Sequence, residues 1–193
     1  RVVFDDVYTE GITKITARDI RYAREFDSVI KLVGVAKNTE NGIEACVYPM
    51  LLPQEHPLAS VRDSFNAVFV HGDAVDDVMF YGRGAGKLPT ASAVSADIID
   101  AVKHKDRRQN LDWEPGSEEV VGSFADLPLC WYVRTQAQPG QIDAAFGTVE
   151  TVTAGAGETA VLTGPLTKRE LDQKLADVPA LTCLPVLTSD SAN

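Results

Sequence analysis

The stretch Tyr81-Gly-Arg-Gly-Ala-Gly-Lys-Leu-Pro-Thr-Ala-Ser-Ala-Val94 places three glycines between an apolar segment and a run of small residues with helical character. Glycine lacks Cβ and adopts positive φ readily, so Gly82, Gly84 and Gly86 permit a tight reversal and close approach of another molecule. Pro89 suits the first turn of a helix, where its missing N–H has no helical partner. The pattern predicts a strand, a glycine turn and a helix whose free amides could face an anion or a polarised cofactor group.

Two well-known phosphate-binding motifs are not matched by this turn. A Walker loop requires Ser or Thr after the Gly86-Lys87 pair, and Leu88 is there instead. A dinucleotide fingerprint starting at Gly82 would require glycine at Lys87. On spacing alone, a turn that serves only packing remains an alternative interpretation, and a phosphate-binding module built on the turn is a weaker one.

Segments on both sides of the turn resemble the catalytic domain of bacterial homoserine dehydrogenase. They follow the family's order over about the first hundred residues: Val3-Phe-Asp-Asp-Val-Tyr-Thr-Glu-Gly-Ile-Thr-Lys-Ile-Thr16 with Asp19-Ile20, then 30–37, 56–61, 65–70, 78–86 and 89–91. The resemblance implies a parent enzyme that interconverts L-homoserine and L-aspartate 4-semialdehyde with NAD or NADP, on the route to threonine, isoleucine and methionine. It also implies a homodimer or a higher homo-oligomer.

The resemblance implies one cofactor contact in this chain. The second glycine of the family's Gly-Ala-Gly turn lies against the nicotinamide end of the cofactor, and Gly86 holds that position; Gly84 and Ala85 shape the same turn. The family's Rossmann domain and its proton-transfer motif are expected upstream of Arg1, so no catalytic residue is assigned within the chain. We therefore expect the chain alone to be inactive, because hydride transfer needs both sites in reacting geometry.

Composition argues against several other classes of function. The chain of 193 residues is 45% hydrophobic, enough for one good core and a small second one. Its net charge is −10, and residues 106–193 carry 6 basic against 13 acidic side chains. Because no basic stripe could neutralise phosphates, we expect neither a nucleic-acid nor an anionic-membrane partner.

The cysteines and histidines indicate no metal or disulfide framework. Cys46, Cys130 and Cys183 are odd in number and lack C-x-x-C spacing, and the three histidines share no ligand spacing. The sequence has no apolar run of 18 residues and no signal pattern at its start. We expect a protein of the reducing cytoplasm.

Residues 1–105 predict an α+β domain with a mixed, mostly antiparallel sheet and helices on one face. The expected elements are a strand at 2–7, a helix capped by Thr16 and Asp19 that ends at Phe26, strands at 29–36 and 43–52 joined at Asn41-Gly42, a helical turn at 57–61, strands at 66–71 and 76–81, and a helix at 89–104. Glu10-Gly11 closes the opening strand near the expected position of the missing catalytic motif, and its role stays open.

Residues 106–128 are polar and rich in turn formers, which predicts a linker that carries Trp113. Residues 129–188 then predict the order βαββαβ, followed by a tail at 189–193. The expected elements are strands at 129–136, 148–153, 159–163 and 181–187, a first helix of about 141–146 that follows a start signal at Pro139-Gly140, and a second at 167–177 that Thr167 and Glu170 cap.

The βαββαβ order resembles an ACT domain, the small regulatory module that commonly follows the catalytic part of this family. Gln138-Pro139-Gly140 stands where that module usually has Arg-Pro-Gly. The first helix is expected to be too short for the usual effector site, which favours a degenerate module kept for packing or dimer contacts. A module that binds an amino-acid effector stays open, as does a non-catalytic amino-acid-binding or dimerisation protein as the alternative function.

Overall fold

A computed structural model describes residues 2–40, 42–106, 120–154 and 157–188. Within these ranges the chain forms the following strands and α-helices: β1 (Tyr8–Thr9), α1 (Ala17–Glu25), β2 (Ser28–Thr39), β3 (Gly42–Pro53), β4 (Phe65–Gly72), β5 (Asp76–Arg83), α2 (Lys87–Lys103), β6 (Cys130–Thr135), α3 (Pro139–Phe146), β7 (Glu150–Ala154), β8 (Glu158–Leu162), α4 (Lys168–Leu175) and β9 (Ala180–Val186). Short 3-10 turns lie at Phe4–Asp6, Ile12–Lys14, Pro57–Ser60 and Phe124–Asp126.

The chain forms two compact units, and they differ from the predicted domains. The first unit joins Arg1–Ala59 to Gly116–Asn193, and the second unit is Ser60–Pro115. The expected divisions at 105/106 and 128/129 assumed that each half of the chain would form its own sheet. Strands from both halves instead share the sheet of the first unit, which leaves the middle segment as a unit of its own.

The sheet of the first unit is mixed and mostly antiparallel, as predicted. It has seven strands in the order β1-β3-β9-β6-β8-β7, with β2 paired to β3. The expected β2–β3 hairpin is paired from Ser28 opposite Pro53 to Thr39 opposite Gly42. The two halves of the chain meet at β3, which pairs in parallel with β1 and, at Leu51, with β9.

The opening segment is less regular than predicted. The expected strand at 2–7 is a 3-10 turn at Phe4–Asp6, and β1 follows it. Val3 and Phe4 are exposed, so the apolar residues of this segment have no buried face that would hold them as a strand. The capping box at Thr16 and Asp19 is present and begins α1 at the expected place.

The C-terminal strands lie in the order β9-β6-β8-β7, and each pair of neighbours is antiparallel. With α3 and α4 as crossovers, this is the split βαβ arrangement of ferredoxin-like folds. The predicted βαββαβ order is therefore present. The first helix is longer than expected, because α3 begins at Pro139 after a Gln138–Gln141 capping box and spans 8 residues, just over two turns.

Helices cover both faces of this sheet, whereas the sequence predicted one. On one face Trp131 and Val133 pack in a core with Ile142 of α3, and α4 contributes to the same core. On the other face Tyr132 packs in a core with Tyr22 of α1. Successive strand residues point to opposite faces, so a strand that is apolar at three consecutive positions requires cover on both sides.

A buried ion cluster joins α1 to the C-terminal strands. Arg134 donates from Nε to Asp19 Oδ1 at 2.7 Å and from Nη1 to Glu158 Oε2 at 2.8 Å. Its Nη2 also donates to Thr182 Oγ1 at 3.1 Å, and Arg18 pairs with Glu158 from the exposed side. Burial alone would raise the pKa of Asp19, but hydrogen bonds from Arg134 and Thr16 outweigh it and hold that pKa below its usual value.

Part of the predicted linker is packed structure. The carbonyl of Val120 accepts a hydrogen bond from the Ile43 amide at 2.8 Å, and Phe124 is buried with its ring stacked 4.0 Å from that of Tyr8. These contacts bring residues 120–126 against β3 and the opening segment. Residues 107–119, with Trp113, and the tail at 189–193 lie outside the described residues.

The second unit consists of the predicted β4–β5 hairpin and α2. The hairpin is paired from Phe65 opposite Arg83 to Gly72 opposite Asp76, and none of the described α2 residues is buried. Val68 and Phe80 lie directly opposite each other and are 61% and 64% exposed. One face of this hairpin is therefore apolar and open. Among the described helices, none combines the length and apolar composition that crossing a bilayer requires.

Candidate functional site

The glycine turn of the second unit connects β5 to α2. Its residues Gly84, Ala85 and Gly86, the three predicted cofactor contacts, lie together between the end of β5 and the first residue of α2. Gly86 is the N-cap of the helix, with φ 115° and ψ 156°, and its carbonyl accepts the first helical hydrogen bond from the Thr90 amide at 3.1 Å. A side chain is strained at this φ, so the helix start requires glycine here.

Gly84 differs from Gly86, because its φ is not positive and what approaches it is the exposed side chain of Asn66, which would have to rotate to admit a Cβ. A Cβ at this position would lie 1.8 Å from Asn66 Nδ2 and 2.9 Å from Asn66 Cγ. The Gly84 amide also donates to the carbonyl of Ser64 at 3.3 Å. The turn is thus held against the start of β4. At Gly82 a Cβ would meet none of the described atoms within 4 Å, so space does not require that glycine.

The positively charged side chain of Arg83 is held in place beside the turn. Arg83 places its guanidinium 4.6 Å from the centre of the Phe65 ring, and Phe65 stacks on Tyr81 with centres 4.7 Å apart. Arg83 Nη1 also donates to Ser64 Oγ at 2.9 Å. Sequence reasoning did not single out Arg83. The available signal was a charged residue at the end of a strand, directly before the glycine turn.

The turn presents donors to solvent. The amides of Lys87 and Leu88 precede the first helical hydrogen bond, so helix geometry gives them no partner, and Pro89 has no amide. The first turn of α2 contains no acidic side chain, which leaves the positive end of the helix dipole unopposed by the helix's own residues. Residues 82–88 are exposed.

Glu10 and Gly11, whose role the sequence left open, lie in the first unit. Tyr8 donates its hydroxyl proton to Glu10 Oε2 at 3.0 Å, and Lys14 donates to Glu10 Oε1 at 3.2 Å. Burial, reinforced by the Glu10 carboxylate, raises the pKa of Tyr8 to about 12. Tyr8 therefore stays protonated and fixes the orientation of the carboxylate.

The histidines make local polar contacts. His71 Nδ1 lies 2.8 Å from Asp77 Oδ1, His104 Nδ1 lies 3.0 Å from Asp100 Oδ1, and His56 accepts a hydrogen bond from the Leu58 amide. Within the described part of the chain, no group of three or more His, Cys, Asp or Glu side chains could hold a metal ion.

Comparison with known proteins places the turn in a family. Residues 1–99, which contain Gly84, Ala85 and Gly86, match the family model described as homoserine dehydrogenase. The chain belongs to the homoserine dehydrogenase family. The homoserine dehydrogenase of Neisseria gonorrhoeae is 35% identical over 206 aligned residues, which cover 94% of this chain and 47% of that protein. The Corynebacterium glutamicum homoserine dehydrogenase is 49% identical over 140 residues, 70% of this chain and 30% of that enzyme.

Solved homoserine dehydrogenase structures show the same fold over nearly the whole chain. The enzyme from Thiobacillus denitrificans superposes with a TM-score of 0.78 at 28% identity and covers 96% of this chain and 48% of its own. The S. aureus enzyme at pH 6.0 gives a TM-score of 0.72 at 26% identity, with 97% and 49% covered. The chain therefore spans about half the length of the homoserine dehydrogenases that it matches.

Proposed function

We propose that this chain is the substrate-domain part of a homoserine dehydrogenase that interconverts L-homoserine and L-aspartate 4-semialdehyde with NAD or NADP. The observation that carries the proposal is the exposed Gly84–Gly86 turn at the start of α2, inside the segment that matches the family model. In this proposal the turn forms a wall for the nicotinamide end of the cofactor, with Gly86 nearest to it.

The residues of the turn fit a polar, planar group. The absence of Cβ at Gly86 lets the backbone approach a ring closely, and the outward amides of Lys87 and Leu88 would hold an electronegative atom such as a carboxamide oxygen. Arg83 adds a fixed positive charge that would favour the anionic part of a dinucleotide. The cofactor supplies the hydride chemistry when bound, and the role of this chain is to bind and orient it.

The 193 residues alone are proposed to lack dehydrogenase activity. Their glycine turn does not match the dinucleotide fingerprint, and the homoserine dehydrogenases they resemble are about twice as long. Hydride transfer requires cofactor and substrate to be held together, and binding at one wall does not achieve that. We place the parent enzyme in the cytoplasm, which is supported by the three cysteines, all of which are free thiols.

A chimera tests the cofactor role directly. Residues 1–99 would replace the corresponding segment of the Corynebacterium glutamicum enzyme, and turnover of homoserine with NADP would be measured. We expect an active chimera, and we expect Ala85→Leu to raise the KM for the cofactor at least tenfold. Ala85 is exposed and has no positive φ, so this substitution adds bulk to the wall without straining the fold.

The matched control is Gly82→Ala, which adds a methyl group close to the turn where no described atom lies within 4 Å. We expect the KM of this variant to stay within twofold of the chimera. An inactive chimera that is folded, or equal KM values for Ala85→Leu and Gly82→Ala, would refute the role of the turn. Turnover by the unmodified 193-residue chain would refute the proposal that it is inactive alone.

Self-association through the second unit is part of the proposal. The open face that contains Val68 and Phe80 would be costly to leave in water, and a second copy of the chain would cover it. Sedimentation equilibrium should show a dimer or larger assembly that Phe80→Glu converts to monomer. A monomeric wild-type chain at micromolar concentration would contradict this part of the proposal.

The strand order β9-β6-β8-β7 supports a second candidate function, an ACT-like module. We propose that the module serves packing, because α3 and α4 share a core with β3 and so help to build the first unit. Calorimetric titration with threonine, isoleucine and methionine separates this role from effector binding at the start of α3. Saturable binding that a Gly140→Val substitution abolishes would favour an effector-binding module instead.

A further inference from the structure

The side-chain carboxamide of Asn66 lies against the glycine turn. Asn66 pairs on β4 with Gly82 of β5, which precedes Gly84 by two residues. Its Nδ2 atom is 1.8 Å from the point where a Cβ of Gly84 would lie, so the amide rests on the bare Cα of that glycine. The Asn66 side chain is exposed and makes no hydrogen bond with the residues that the structure describes. Its donors and its acceptor are therefore available to a ligand at the turn.

The register of the hairpin separates Asn66 from Arg83. Phe65 pairs with Arg83 and Asn66 pairs with Gly82, and neighbouring residues of a strand point to opposite faces. Arg83 is held on its own face by the Phe65 ring and by Ser64, whereas Asn66 lies on the other face. The turn thus has a cation on one side and an uncharged amide on the other.

Asn66 is close enough to the start of α2 to share a ligand with it. Gly84 and Gly86 are two residues apart, so their Cα atoms are separated by at most about 7 Å. This separation is comparable to the length of a six-membered ring that carries a carboxamide. A ring that lies against Gly86 could therefore place its carboxamide beside the Asn66 side chain.

We propose that Asn66 binds the cofactor, and that its carboxamide pairs with the carboxamide of the nicotinamide ring. The inference rests on the proposed function, in which Gly86 lies against that ring. A carboxamide has both donors and an acceptor, so two carboxamides can form two hydrogen bonds with each other. A phosphate or carboxylate could only accept from Nδ2, and the side-chain oxygen of Asn66 would then face its negative charge. The role of the pair is to orient the ring.

The competing role for Asn66 is structural, namely to hold the glycine turn in place. If that were its role, removal of the side chain would weaken the binding of every cofactor equally, because the turn itself would move. A direct contact instead predicts a loss that depends on the carboxamide of the cofactor. NADPH and its 3-acetylpyridine analogue separate the two roles, since the analogue has a methyl group in place of the amide nitrogen and cannot donate.

The test measures cofactor binding by calorimetry in the chimera that carries residues 1–99, so the readout does not depend on turnover. We expect Asn66→Ala to weaken NADPH binding at least tenfold and binding of the analogue at most threefold. Asn66→Leu keeps nearly the same side-chain size without its polar atoms, and it should show the same difference. The matched control is Asn38→Ala, at an exposed asparagine of β2 in the first unit, which should change neither affinity by more than twofold.

Ala85→Leu separates failure of this inference from failure of the proposed function. This substitution adds bulk to the wall and should weaken both cofactors alike. If it does so while the two Asn66 variants lose equal affinity for both cofactors, or lose none, the contact with Asn66 is refuted and the role of the turn remains. If Ala85→Leu leaves both affinities unchanged, or the folded chimera binds no NADPH, the proposed function fails and the inference fails with it.

Discussion

Arg134→Met should destabilise the first unit strongly, because it leaves two carboxylates buried without their main partner. Asp19 is 0% exposed and Glu158 is 3% exposed. Arg134 makes four hydrogen bonds in the cluster, two to Asp19, one to Glu158 and one to Thr182. Methionine fills much of the same volume but restores none of them.

The residual partners set the size of the effect. Removing one partner of a buried ion pair typically costs about 3–5 kcal/mol. In this cluster Asp19 keeps hydrogen bonds from the Thr16 amide at 2.9 Å and hydroxyl at 2.6 Å, and Glu158 keeps Arg18. These contacts offset part of the loss, so we expect the lower end, about 3 kcal/mol in the free energy of unfolding.

Urea unfolding monitored by circular dichroism measures this change. The combined variant Asp19→Asn, Arg134→Met, Glu158→Gln removes all three buried charges, and we expect it to be more stable than Arg134→Met alone. A loss below about 1 kcal/mol for Arg134→Met would indicate an exposed ion pair and refute the reasoning. A combined variant less stable than the single one would show that the penalty does not come from unpaired charge.

Three further predictions concern the same unit. Because the pKa of Asp19 is lowered in the folded state, its carboxylate stabilises the protein above about pH 4, and this contribution is lost as the pH falls through the folded pKa. In Asp19→Asn the urea midpoint should therefore fall less steeply with decreasing pH than in the wild type. Parallel plots of urea midpoint against pH would contradict this. Gly42→Ala should lower the free energy of unfolding by about 1–3 kcal/mol, because the Gly42 φ is 118° and a Cβ would lie 2.7 Å from the Val120 carbonyl oxygen. The control Gly164→Ala, where a Cβ would meet none of the described atoms within 4 Å, should change it little. Equal urea midpoints for the two variants would disprove this prediction. Leu171→Ala, at a fully buried site, should lower the free energy of unfolding by about 2–5 kcal/mol. The control is Leu88→Ala, at an exposed site. If Leu171→Ala lowered the melting temperature less than Leu88→Ala, Leu171 would not be a core residue.

Local features of the fold could be predicted from the sequence. The capping boxes at Thr16 and Thr167 each depend on residues three positions apart, and both begin a helix where expected. The β2–β3 hairpin and the βαββαβ order follow from alternating apolar residues and turn formers in the same way. These elements are specified by contacts within a few residues.

Pairing between distant strands could not be predicted in this way. Nothing within a short window indicates that β9 lies beside β3 at Leu51, so the two halves of the chain were expected to form separate sheets. Arg134 and Asp19 are 115 positions apart, and their pairing decides which face α1 covers. One signal was available: an arginine inside an apolar strand is seldom buried without a carboxylate partner.

The candidate cofactor site also has a part that could be predicted from the sequence and a part that could not. The Gly84–Gly86 turn is continuous in sequence, so its residues could be named from the chain alone. The position of the Arg83 guanidinium could not be predicted, because its partners Ser64 and Phe65 reach it only through the pairing of β4 with β5.

The shared sheet explains why the C-terminal strands matter for the part of the chain that matches the family model. β3 belongs to the matched residues 1–99, yet Met50, Leu51 and Leu52 are fully or almost fully buried in cores that contain β6, β8 and β9 side chains. Without those strands the side chains at this end of β3 would lose part of their apolar cover on both faces, although α1 would still contact Leu51, and the cost is about 25 cal/mol for each Å² exposed. The C-terminal strands therefore complete the core of the segment that matches the family model, a structural role that requires no effector.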